Sequence, residues 1–266
     1  MKTPRSLLHA GLALSLVLAA VSCRTIQYRE VQSDFERAVQ AETVRDESPF
    51  IDWYQGVADT LTDDFIGKLD EKLRPNAWML RGVSEWRSGS YSNANVSASR
   101  GLQEIERQKV TAPNLAGSRD SIVLTMLPGL VQDSQLRDRL RALGTNDLPA
   151  TTYQTNFLPQ FKAVLRQLRE AKQNFGAPTP PAVKPYWNFQ AWRVLRNWSF
   201  TLGRLPTGEP STAQAYAEAD TIIENQFSTL IGGSSTTNMT SAIQAAKDAI
   251  PADHPYRRLI ELEEKQ

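Results

Sequence analysis

The chain predicts an all-α fold, on three observations. Apolar residues recur at helical spacing in segment after segment, strictly alternating strand-like runs are scarce, and proline, glycine and short polar residues fall at the segment ends. About ten helices follow, arranged as antiparallel hairpins, partly solenoid-like in the first half and more irregular after Pro181.

Val31, Phe35, Ala38 and Val39 share one face of a helix from about Tyr28 to Val44, with Glu30, Asp34, Glu36 and Arg37 on the other. Ser48-Pro49 is an N-cap followed by proline at the first helical position, where a missing N–H costs nothing. Phe50, Trp53, Tyr54, Val57 and Leu61 form the stripe that follows. Thr62-Asp63-Asp64 caps a further helix carrying Phe65, Ile66, Leu69 and Leu73, which Pro75 ends. Pro75-Asn76 opens a helix with Trp78, Leu80, Val83 and Trp86, Ser88-Gly89-Ser90 breaks it, and Tyr91 to Glu106 resumes the pattern. Shorter helices are expected over Ser121–Leu127 and Gln135–Leu143, separated at Pro128-Gly129. Phe157, Phe161, Val164, Leu165, Leu168 and Phe175 line one face of a longer helix, with Lys162, Arg166, Arg169 and Lys172 exposed. The proline cluster after Gly176 is a stiff, extended linker. Helices then follow over Tyr186–Leu202, Ser211–Leu230 with Ser211 as cap, Ser241–Ile250 and Tyr256–Glu264, with Gly232-Gly233-Ser234-Ser235 as a flexible turn.

The spacing Gly82, Gly89, Tyr91, Ala94 resembles the tetratricopeptide repeat, a hairpin of two helices whose small residues permit close approach. Arg81, Ala98 and Gly101 depart from that pattern. Asp34 to Ala38 is similar to the second helix of a degenerate copy. The resemblance implies stacked hairpins that offer a concave surface to a peptide or an extended segment of another protein.

At the N-terminus, Met1 to Arg5 is basic, Leu7 to Ala20 is apolar, and Ala20-Val21-Ser22 precedes Cys23, the sole cysteine. The sixteen residues from Leu7 to Ser22 are fewer than the roughly twenty that a spanning helix needs, so a removed signal is expected. The segment resembles a bacterial lipoprotein signal peptide and its lipobox, with Ala20 where leucine is usual. That resemblance implies palmitate and other acyl chains on Cys23, a membrane tether, and, with Arg24 next, sorting to the outer membrane facing the periplasm. Each buried methylene contributes about 0.8 kcal/mol, so several chains hold a protein on a membrane effectively for good.

With one cysteine the chain forms no internal disulfide, and its stability rests on an apolar core. Removing residues 1–22 takes Lys2 and Arg5 with them, leaving 28 basic against 29 acidic side chains. No basic stripe is available to neutralise phosphates, which excludes nucleic acid as a partner.

Chemistry-bearing groups are few. His9 lies in the signal, and His254, between Asp253 and Pro255, reads as a surface or capping residue. A zinc site lacks ligands, and Asp59, Asp63, Asp64 and Asp70 lack the glycine and ligand spacing of a calcium loop; Asp63 and Asp64 suit a helix start instead. No metal and no cofactor is expected. Ser88 to Ala94, Ser97 and Gly101-Leu102-Gln103 look like the lytic transglycosylase motif, but its catalytic glutamic acid corresponds to Ser88, which cannot protonate a glycosidic oxygen. Glu85, one helical turn earlier, is the substitute acid that reading requires.

Trp187, Ala191, Val194, Leu195, Trp198 and Leu202 follow helical spacing as core, whereas Phe189, Trp192, Arg196 and Phe200 make a second strip. Two strips mean burial on two sides or a partner groove, and Trp187, Trp192 and Arg196 are the candidate binding residues. The expected organisation is a signal (1–22), a lipidated N-terminus and first helix (23–47), a tetratricopeptide-like region (48–176), a proline-rich linker (177–185) and a C-terminal helical region (186–266). The expected function is non-enzymatic: a tethered helical scaffold of the bacterial cell envelope that binds an unidentified protein. The alternatives are a cell-wall glycan hydrolase of the transglycosylase kind and a solute-binding accessory component of a transporter, its pocket lined by Trp187, Trp192 and Trp198.

Overall fold

The computed structural model describes residues 24–42, 50–144, 147–174, 184–231 and 238–264. Among them the fold is all-α, without a strand. The signal segment, Cys23, Ser48-Pro49, the prolines at 178–181 and the Gly232 turn lie outside the described residues. The chain forms two compact units, Met1–Glu104 and Ile105–Gln266. That division falls inside a helix, α5 (Tyr91–Gln108), and not at the proline cluster.

In the first unit, α1 (24–42) buries Tyr28, Val31, Phe35 and Ala38. The Tyr28 hydroxyl donates to Asn76 Oδ1 at 2.6 Å and Gln32 Nε2 donates to the same oxygen at 3.1 Å, fastening α1 to α4 (Arg74–Arg87). Helix α2 (Phe50–Thr60) packs on α4 and sets Tyr54 edge-on to Phe35, ring centroids 5.7 Å apart. Where the pattern predicts one helix from Thr62 to Leu73, the structure has two pieces, α3 (Asp63–Gly67) and a 3-10 turn over Glu71–Leu73. The reason is capping: Thr62 accepts the Phe65 amide and Asp70 accepts the Lys72 amide, so each piece starts on its own side-chain acceptor. The α4–α5 hairpin turns at Gly89, whose φ of +84° is left-handed, a conformation that costs residues with a Cβ roughly 1–2 kcal/mol.

In the second unit, α6 (Arg119–Ala142) corrects the sequence reading. It runs unbroken through Pro128-Gly129, where two helices are predicted. A proline inside a helix costs about 3 kcal/mol. Ile122, Leu124, Met126, Leu127 and Leu130 are all at most 1% exposed, and burying each such side chain contributes about 1.5–3 kcal/mol, so packing outweighs the local penalty. Gly129 supplies the close approach to α8 (Leu158–Asn174), because a Cβ there would stand 3.0 Å from Gln167 Oε1. Helix α7 (Ala150–Thr152) and a π-helical turn (Tyr153–Phe157) lead into α8. Helix α9 (Lys184–Leu202) packs against α6, α8, α10 (Pro210–Ile231), α11 (Met239–Asp248) and α12 (Pro255–Glu264). Ser211 lies inside α10 and donates to Glu209, while α11 starts on a reciprocal cap between Asn238 and Ser241.

Gly89→Ala isolates the turn's backbone term, because open space surrounds the position. The substitution is expected to destabilise the protein by about 1–2 kcal/mol in urea titration. An unchanged midpoint would show that the left-handed turn carries no such cost.

Candidate functional site

The first unit carries a chain of charge on the α4–α5 hairpin. Arg81 and Glu85 are four residues apart on α4 and meet at 2.8 Å, Nε to Oε1. Ser97 on α5 donates to Glu85 Oε2 at 2.6 Å, so both carboxylate oxygens are engaged. Glu85 is 4% exposed. Arg81 also reaches Asp63 Oδ1 at 2.5 Å, and Arg100 pairs with the other Asp63 oxygen. Both guanidiniums lie against Trp78, 5.3 and 5.5 Å from its ring centroid. The bond from Arg100, joined by that from Arg81, holds the Asp63 carboxyl below its usual range against a modest desolvation. Desolvation opposes the charge on Arg81, yet the bonds to Glu85 and Asp63 win and its pKa rises.

A depression of about 420 Å³ lies over this cluster, lined by Gln55, Asp59, Arg81, Glu85, Ser88 and Asn93 among others. Ser88, at the position where the transglycosylase motif carries its acid, donates to the Glu85 carbonyl at 3.2 Å and so serves the turn. Of the remaining carboxylates in the acidic cluster, Asp64 pairs with Lys68 at 2.5 Å and Asp70 caps the 3-10 turn. Among the described residues no group of histidine, cysteine and carboxylates is arranged to hold a metal. His254 Nδ1 accepts the Tyr256 amide at 3.2 Å, at the start of α12.

The second unit is organised around α9. Trp187 is 2% exposed and Trp192 and Trp198 are fully buried, so of the three candidate binding residues Arg196 is the one that reaches the surface. Phe161 stacks on Trp198 at 5.5 Å, and Phe189 stacks on Trp192 at 6.1 Å and on Tyr256 at 4.8 Å. Arg196 lies 5.2 Å over the Trp192 ring and donates to Glu263, at 3.2 Å to its carboxylate and again to its carbonyl. The second strip of α9 thus packs inward at Phe189 and Trp192, while Arg196 and Phe200, the latter 63% exposed, reach the surface.

Sequence reasoning missed the polar groups on the same helix. Asn197 Nδ2 donates to both oxygens of Asp133, at 3.1 and 2.9 Å, and Arg193 supplies positive charge nearby. Burial pushes the Asp133 carboxyl up despite these partners. The available signal was Arg193 and Asn197 at i and i+4. Trp198 Nε1 donates to the Tyr153 hydroxyl at 2.9 Å, and burial pushes the Tyr153 phenol up to about 12.

Compared with protein-family models, curated proteins and solved structures, the chain finds no match. The fold and these clusters therefore define it as a two-unit all-α protein, and its function is argued from its own residues.

Tyr153 generates a pH prediction. Its folded pKa lies above the ordinary value of 10.0. Its contribution is therefore fully present below pH 10 and is lost as pH climbs toward about 12. Tyr153→Phe removes the acceptor of a buried indole N–H and is expected to cost about 1–3 kcal/mol at pH 7. The gap between wild type and variant should narrow across that alkaline window in urea titrations. A gap that stays constant would assign Tyr153 a packing role alone.

Proposed function

We propose that this protein is a membrane-tethered, non-enzymatic helical binding protein of the bacterial cell envelope, lipidated at Cys23 and serving to dock another protein. The observation that carries the reading is the basic start and apolar segment ending at Cys23. Arg24 supports sorting to the outer membrane. Among the described residues no helix is long and apolar enough to cross a membrane, which is compatible with attachment through acyl chains. The tight α4–α5 hairpin, with Gly82, Ala94 and Ala98 buried, supports the tetratricopeptide-like reading of the first unit.

The competing reading, a glycan-cleaving enzyme, rests on Glu85 lining the depression over α4. Both of its oxygens already accept, one from a guanidinium and one from a hydroxyl. That arrangement favours a structural carboxylate over a proton donor facing substrate. Docking is therefore the function preferred here.

Cys23→Ser is expected to abolish palmitate labelling in cells and to move the protein from the membrane to the soluble fraction. Retention of label would place the acyl group elsewhere and remove the basis of the reading. In a murein zymogram the wild-type chain is expected to leave no cleared band. A cleared band that Glu85→Gln eliminates would establish the enzyme instead. Glu85→Ala, which strands the Ser97 hydroxyl and leaves Arg81 to Asp63 alone, is expected to cost about 2–3 kcal/mol of stability.

A further inference from the structure

Helices α6 and α9 of the second unit present arginines to one cleft of about 530 Å³, within the range of small-molecule sites. Arg137 and Arg141 come from the last turns of α6, Arg196 from α9, and Arg204 from the segment after it. Phe200 and Ile243 supply an apolar wall. Counting Arg193, which lies close by on α9, five guanidiniums gather here.

The carboxylates set against them are fewer. Asp133 is buried beneath Arg193 and Arg137, Glu263 is taken by Arg196, and Asp138 stands near Arg137 at the surface. Arg204 spends one N–H on the Leu140 carbonyl at 3.2 Å. Arg193 and Arg204 have further partners of their own. Among the described residues neither Arg137 nor Arg141 has an ion pair within 4 Å, and the buried Nε of Arg137 has no hydrogen-bond acceptor. Burial first, and then the neighbouring Arg193 and Arg141, push the Arg137 guanidinium down, while Asp133 and Asp138 act the other way. A residue placed only to complement the α6 carbonyl terminus would explain Arg141 but not Arg137, half-buried against the same cleft.

We propose that this cleft binds a phosphate monoester with an apolar body, the phosphate between Arg137, Arg141 and Arg204 and the apolar part on Phe200 and Ile243. A phosphate monoester carries about −1.5 to −2 at neutral pH and offers three acceptor oxygens, which suits guanidiniums converging on one cleft from α6 and from the segment after α9. A lone carboxylate brings one charge and two oxygens. Guanidinium forks recognise phosphate in bidentate fashion, and the exposed Phe200 ring then has a surface to cover. The site stands apart from the tethering reading and from the Glu85 cluster, and neither is needed for it.

The ligand's source is a soluble ester or a lipid headgroup, and the test separates them. Phenyl phosphate is titrated calorimetrically into the full chain in detergent, with benzoate and inorganic phosphate as comparisons. Saturable binding is expected, at least about tenfold tighter than either comparison and falling with salt. Arg141→Gln, at an exposed position, is expected to weaken it by about tenfold with the melting temperature unchanged, and Arg137→Gln by more. In the second arm, vesicles of phosphatidylcholine with and without phosphatidic acid are floated with the chain. Recruitment by phosphatidic acid that phenyl phosphate competes away supports the lipid source, and phenyl phosphate binding without such recruitment supports the soluble one. Saturation by neither ligand, equal affinity for benzoate, or binding that Arg141→Gln leaves intact would overturn the proposal.

Discussion

Helix α9 has almost no side left for water, and the second unit is arranged around that constraint. Five other helices lie against it, and twelve of its residues, from Trp187 to Leu202, are buried. A helix surrounded in this way cannot place polar groups on a solvated face. Most of those it carries find a partner on a neighbouring element, although the Trp192 indole N–H has none among the described residues. Trp198 finds the Tyr153 hydroxyl, Asn197 finds Asp133, and Arg196 finds Glu263. The elements supplying those partners are thereby specified, since a different neighbour would leave an indole N–H or a carboxamide unsatisfied.

The first unit solves the same problem with charge. Glu85 is buried on the helix that packs against α2, and both of its oxygens are met, by Arg81 from its own helix and Ser97 from the next. Arg81 in turn links to Asp63 at the start of α3, so helices α3, α4 and α5 are joined by a single relay of acceptors and donors. Such a relay has little tolerance for the loss of a member, because each group desolvates its neighbour. The same economy that makes the cluster a good structural clamp leaves Glu85 with no oxygen free.

The helical class was legible because apolar spacing carries it directly, and the stripes through Val31, Tyr54, Trp78, Phe161 and Trp198 turned inward, save that Trp53 in the Tyr54 stripe is exposed. Boundaries were legible where a local group sets them, as at Gly89 and Pro75. They were not where tertiary burial decides. Pro128-Gly129 carries every local mark of a break, yet the side chains around it are worth more when continuous. Position 62–73 errs in the other direction, since its apolar spacing is unbroken and the interruption comes from competing caps at Thr62 and Asp70. For the candidate sites, Glu85 was visible as a lone acid four residues from Arg81, but its second partner, Ser97, is a contact across a turn. The gathering of Arg137, Arg141, Arg196 and Arg204 joins residues 55 to 67 positions apart, which no spacing rule reaches.

Pro128 leaves a mark on α6 beyond its continuity. Its ring nitrogen cannot complete the rung that would reach the Leu124 carbonyl, so the hydrogen-bonded ladder is interrupted at the most tightly enclosed stretch of the helix. The two halves of α6 are consequently united by their neighbours' side chains more than by their own backbone. Strain entering from either end meets a built-in seam at mid-length, where the rod can flex while the surrounding bundle keeps its grip.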